Sequence, residues 1–135
     1  MSGRSCVTGT DRDAIADLLA RYCWAFDAGD GDAYVALCVD DGVLSGFGEP
    51  SVGHEALRQA VAQSYEQLGG KTRHHLHNVV MEYDGGPNTV RGKGYNLVTN
   101  WGDTQALFAM VEQRFGLRRV GDDWMIATVD LSFVQ

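Results

Sequence analysis

Asp27 ends a stripe of small and apolar residues, with Trp24, Cys23, Ala20 and Ala16 at i−3, i−4, i−7 and i−11. In the last turn of a helix a carboxylate opposes the negative end of the dipole, at a cost of about 0.3 to 1 kcal/mol. Two readings follow: a solvated aspartate at a helix end, or a carboxyl in a dry pocket that is fit for proton chemistry. Tyr22, on the apolar face of the same helix, is open in the same way. Its ring fits a core, and its phenol equally fits a donor to a carbonyl oxygen on which negative charge develops.

The run Arg73-His74-His75-Leu76-His77-Asn78 holds three of the four histidines. Strand alternation puts His75 and His77 on one face and His74, Leu76 and Asn78 on the other. A single imidazole facing a cavity is enough for a general base near neutral pH, a role open to His74 if its face is the inward one; the other reading is a set of surface or rim histidines near a sheet edge. His75 and His77 have the i, i+2 spacing of a metal-ligand pair, but neither a third histidine nor a carboxylate motif completes a set, so no metal or other cofactor is expected. His54 opens a helix and is expected on the surface, without a role. Asn96, Asn100 and Arg114 fall within strands, where they can orient substrate oxygens or face solvent. No phosphate-cradling glycine loop, GxSxG elbow or HExxH motif is present.

The elements that must position these residues are legible from periodicity. Between Asp11 and Ala28, Ile15, Leu18, Leu19, Tyr22, Cys23 and Phe26 repeat at the spacing of one helical face, and Gly29 is a natural stop. Asp30 is placed to cap a shorter helix carrying Ala33, Tyr34, Leu37 and Cys38. Gly42 to Pro50 reads as a short strand and a loop. A third helix carries Leu57, Ala60, Val61 and Leu68 between Gly53 and Gly69-Gly70.

From Lys71 onward four long β-rich runs are separated by turn signals at residues 84–88, 102–103 and 121–123. In the third run Leu107, Ala109, Val111, Phe115 and Leu117 share parity, and in the fourth Met125, Ala127, Val129, Leu131 and Phe133 do. Gly92, Gly94 and Gly116 predict bends or bulges that curl the sheet. The expectation is a single α+β domain over residues 11–135, following a disordered segment 1–10. Its cone-shaped, curved antiparallel sheet of four long strands and one short one packs on three N-terminal helices, with an apolar cavity at the mouth.

The whole-chain numbers narrow the function. With 135 residues, 44% of them apolar, one core forms without staples. Eleven Lys and Arg against 18 Asp and Glu give a net charge of −7, which repels nucleic acid and anionic membranes. Three cysteines without a CxxC spacing fit a reducing, cytoplasmic compartment. No apolar run has the length of a membrane span or a signal peptide.

The element order, with Tyr22-x4-Asp27, Gly53-x-Glu55-Ala56-Leu57, His74-x3-Asn78 and Asp123-Trp124, resembles the SnoaL-like branch of the nuclear transport factor 2-like superfamily from about Asp11 to Val134. That branch includes polyketide cyclases, scytalone dehydratase, a bile-acid dehydratase, ketosteroid isomerases and epoxide hydrolases, commonly as dimers. The resemblance implies Tyr22, Asp27 and His74 as catalytic residues and favours His74 over His75. Trp24, Asn78, Asn96 and Arg114 are expected as substrate contacts, and the resemblance implies a small-molecule substrate and a homodimer. The chain also departs from its relatives. Gly92-Lys93-Gly94-Tyr95-Asn96 stands where scytalone dehydratase has a second histidine, and no arginine follows Trp124. The implied activity is a cofactor-independent dehydratase, cyclase or isomerase acting on an apolar polycyclic or polyketide-like carbonyl compound. The alternative is a non-catalytic binding or dimerisation module, or an accessory subunit, of the same fold.

Overall fold

The structure is a computed structural model that describes residues 6–102 and 106–134, with the backbone alone for 106–108. Helix α1 (Gly9–Ala28) buries Ile15, Leu18, Leu19, Tyr22, Cys23 and Phe26, the face anticipated from their spacing. It stops at Gly29, whose φ of 65° is left-handed; the Asp30 N–H returns to the Ala25 carbonyl and the Gly29 N–H to that of Phe26. Asp30 then caps α2 (Gly31–Val35), its carboxylate accepting from the Ala33 N–H at 3.0 Å.

Cys38, expected on that second helix, instead begins strand β1 (Cys38–Ser45), because α2 closes after little more than one turn. The two-residue strand β2 (Ser51–Val52) follows, too short to leave a pattern in sequence. Helix α3 (His54–Gln67) buries Leu57 and Val61. His54 is half-buried rather than on the surface: its Nε2 lies 3.2 and 3.1 Å from the Cys38 and Val39 carbonyls, which accept from it and pin the start of α3 to β1.

The four long runs become β3 (Thr72–Tyr83), β4 (Thr89–Asn100), β5 (Ala106–Val120) and β6 (Asp123–Phe133), joined as consecutive antiparallel hairpins. Of the expected turn at 102–103, Asp103 lies outside the described residues, as does the side chain of Leu107. The sheet order is β2-β1-β6-β5-β4-β3, curved and open. It is mixed rather than wholly antiparallel, because β1 enters alongside β6 in parallel. Residues before Asp11 are more ordered than anticipated from Cys6 on. Cys6 bridges Glu82 on the free edge of β3, and Val7 is buried in the core.

Bulges decide which side chains face the helices. The register of β3 shifts between His77 and Val80, so inward parity passes from His74 and Leu76 to Val79, Met81 and Tyr83. A second shift beside Gly116 puts Trp124 and Ile126 inside together with Val129 and Leu131, so Met125 and Ala127 do not face the core as their parity suggested. Gly92 serves close packing. A Cβ there would lie 2.5 Å from the ring of Phe115, its inward partner on β5.

Candidate active site

Helix α1 runs against β3, and Asp27 in its last turn meets His74. The His74 backbone N–H reaches both carboxylate oxygens at 3.1 and 3.2 Å, and Nδ1 lies 2.6 Å from Oδ1. A carboxylate only accepts, so Nδ1 carries a proton and donates it, and in the neutral imidazole Nε2 on the far side of the ring is the lone-pair acceptor. The two donors compensate Asp27 for opposing the helix dipole. Both side chains are sheltered, at 13% exposure for Asp27 and 15% for His74. Phe26 packs against the imidazole with ring centroids 5.5 Å apart and fixes its tilt.

His74 and Tyr22 both line a cavity of ≈ 490 Å³ between α1, α3 and the inward face of the sheet. This size is typical of a site for a small organic ligand. Phe26, Leu44, Val98, Val111 and Leu131 make apolar walls, Asn96 adds a polar group, and α3 contributes Gln63, Ser64 and Gln67. Phe47 and Phe133, with centroids 4.7 Å apart, form an aromatic rim. Burial pushes the Tyr22 phenol far above its ordinary value, and the neighbouring Cys23, Cys38 and Asp27 push in the same direction. Tyr22 therefore stays protonated as a neutral donor. The Cys23 thiol, one turn before Asp27, is pushed up to about 11 by burial, against the lowering effect of the nearby Leu76 backbone N–H.

The other anticipated substrate contacts are not part of this cavity. Trp24 is 78% exposed, because an α-helix turns position 24 away from the face shared by Tyr22, Cys23 and Phe26. Asn78 sits at the β3 bulge with φ of 55°, which breaks the alternation that would have aimed it inward, and its Oδ1 lies 3.0 Å from His77 Nδ1. Arg114 has the outward parity of β5. It pairs with Glu112 at 2.5 Å and lines a larger, charged hollow of ≈ 770 Å³ on the far side of the sheet, with Arg91, Lys93 and Asp130. His75 also faces outward, 2.9 Å from Thr99 Oγ1.

One buried polar residue behind the cavity wall escaped sequence reasoning. Gln113 is fully buried, and its Oε1 accepts from Asn96 Nδ2 at 2.9 Å. The signal was present: among Ala109, Val111, Phe115 and Leu117, position 113 is the polar member of an apolar row.

The SnoaL-like domain matches this chain over residues 8–130. Among solved structures, a protein of unknown function with a cystatin-like fold from Nostoc punctiforme superposes with a TM-score of 0.86 at 23% identity, covering 95% of this chain and 94% of that one. A nuclear transport factor 2-like protein from Novosphingobium aromaticivorans gives 0.83 at 22% identity, over 93% and 82% of the two chains. A Catenulispora acidiphila protein in complex with S-DNPA gives 0.82 at 20% identity, over 93% and 95%. Among the curated proteins none matches. With the family match spanning nearly all of a three-helix, six-stranded curved sheet, the chain belongs to the SnoaL-like family, with the nuclear transport factor 2-like fold.

Proposed function

We propose that the protein is a cofactor-independent lyase or isomerase that acts by general acid–base catalysis on a small, largely apolar carbonyl compound of polycyclic or polyketide-like type. The observation that carries this reading is the 2.6 Å contact between His74 Nδ1 and Asp27 at the wall of an open, mainly apolar cavity. His74 Nε2 removes a proton from the carbon beside the substrate carbonyl, and the electron pair of that C–H bond moves into the carbonyl to give an enolate. The Tyr22 hydroxyl donates to the enolate oxygen. In a dehydration the enolate collapses and expels a β-hydroxyl, which leaves as water with the proton held by His74. In an isomerisation that proton returns to a different carbon. Asp27 has two conceivable roles, holding the imidazole or protonating the departing oxygen. The two N–H donors already on its carboxylate favour the first.

The ligand carried by the Catenulispora protein supports a small-molecule cavity in this fold. The three free thiols support a reducing, cytoplasmic setting. No helix among the described residues is long and apolar enough to cross a membrane. A homodimer remains the oligomeric state we propose, with Val80, Tyr95 and Met110 exposed on the outward face of the sheet; sedimentation equilibrium returning the mass of one chain overturns it.

The chemistry is tested without knowing the natural substrate, by following deuterium uptake beside the carbonyl of 1-tetralone and 2-tetralone by NMR. The intact protein is expected to accelerate exchange, and His74→Ala to lose about 10² to 10⁴ of that acceleration while keeping its circular dichroism. Exchange that His74→Ala leaves unchanged sinks the assignment and moves the reading to a binding module.

A further inference from the structure

Asn96 and Gln113 are buried polar side chains on the inward face, on adjacent strands, with 2% and 0% exposure. They share one hydrogen bond, from Asn96 Nδ2 to Gln113 Oε1. Asn96 Oδ1 and Gln113 Nε2 find no partner among the described residues. A buried polar atom without a partner is far more costly than a made bond is favourable, so such a pair, with Asn96 in the wall of the cavity and Gln113 behind it, calls for a use. A carboxamide also has two faces. If both side chains turn over, Gln113 Nε2 donates to Asn96 Oδ1 with the same number of bonds, and the spare end of Asn96 changes from acceptor to donor.

We propose that the Asn96–Gln113 pair is an oxygen-reading subsite, in which Asn96 contacts the ligand and Gln113 is a positioning residue that sets which end of Asn96 is presented. The acceptor end takes a ligand hydroxyl, and the donor end takes a carbonyl or ether oxygen. His74 pairs across the sheet with Val98, so Asn96 is its diagonal neighbour on the same inward face, at a Cα separation of about 7–8 Å. That span is roughly one six-membered ring with its substituents. The ligand class is accordingly a cyclic compound carrying a second oxygen function across the ring from the carbon that meets His74. This deepens the proposal above and rests on the cavity being a ligand site, though not on His74 acting as a base.

The test is binding of naphthalene, 2-naphthol and 2-acetylnaphthalene to the intact protein, measured by calorimetry and by quenching of tryptophan fluorescence. Both oxygenated probes are expected to bind about tenfold tighter than naphthalene, the worth of one buried hydrogen bond. In the double variant Asn96→Leu/Gln113→Met that margin should fall to about threefold or less with naphthalene affinity kept, and the melting temperature should rise because the unmet bonds are gone. If the double variant does not fold, Asn96→Ala is compared with Val98→Ala on the same wall, and only the former should narrow the margin. Equal binding, or none, by the three probes in the intact protein overturns the proposal, as does a margin that survives loss of Asn96. His74→Ala should retain the margin. Loss of deuterium exchange with the margin intact would then count against the catalytic reading alone.

Discussion

Helix α1 carries an aspartate near each end, and the two live differently. Asp11, in the first turn, lies where the helix dipole favours a negative charge. It accepts from the Tyr83 hydroxyl, from Arg119 at 2.9 Å and from the Trp124 indole at 3.3 Å, while Arg119 stacks on Trp124 at 4.5 Å. This cluster ties the start of the helix to β3, β5 and β6 and leaves little room for another ligand. Asp27 lies where the dipole disfavours it and accepts from one residue, His74, beside a cavity. A carboxylate placed with the dipole and surrounded by donors serves stability. One placed against the dipole and held by a titratable ring is available to chemistry.

The sharpest way to break this contrast is to neutralise each aspartate in turn. Asp27→Asn should lower deuterium exchange by about 10²-fold or more, because an amide no longer dictates the imidazole tautomer. Its melting temperature should stay near that of the parent, since an amide oxygen still accepts from the His74 backbone N–H. Asp11→Asn should do the reverse, lowering the melting temperature with exchange per folded molecule unchanged. Matching losses of activity and stability in both variants would erase the distinction.

The pH dependence of stability sharpens it further. Tyr83 and then Arg119 hold the Asp11 carboxyl below its ordinary value of 3.8. A group whose value is depressed on folding contributes stability that is present above the unfolded value and lost as pH falls through the folded one. The parent should therefore lose its melting-temperature advantage over Asp11→Asn as pH drops below about 4. Parallel curves between pH 2.5 and 6 would show that Asp11 is not held this way.

A smaller effect is expected at the turn that follows Asp27. Asp30→Ala removes the α2 cap and should cost about 1 kcal/mol in urea unfolding, with exchange nearly untouched, since Gly29 closes α1 independently. A large loss of exchange would mean that α2 also positions Asp27.

What the sequence made legible was local. The apolar spacing from Ile15 to Phe26 marked the buried face of α1, and Asp84-Gly85-Gly86 and Gly121-Asp122 marked the hairpins. The approach of Asp27 to His74, 47 positions apart, followed only from resemblance, because no spacing rule links a helix end to a particular strand. Trp24 and Arg114 could have been placed outside the cavity by the same helical and strand periods that placed their neighbours inside. Asn78 could not, since a bulge reverses parity without a reliable mark in the residues. The parallel entry of β1 beside β6 depends on a partner some 85 residues away, as in the contact from Ser45 to Asp130.

Because β3 is the last strand of an open sheet, its outer backbone N–H groups have no neighbouring strand along most of its length. Helix α1 answers them with side chains one turn apart: Asp27 takes the N–H of His74, and the Cys23 thiol lies toward that of Leu76. The match is metric, about 6 Å of rise over four helical residues against about 6.7 Å over two strand residues. Asp27 is thus also a guard on an exposed edge that would otherwise template pairing with another chain. A variant that removes its side chain altogether would shed activity as the amide does, and would in addition become prone to self-association.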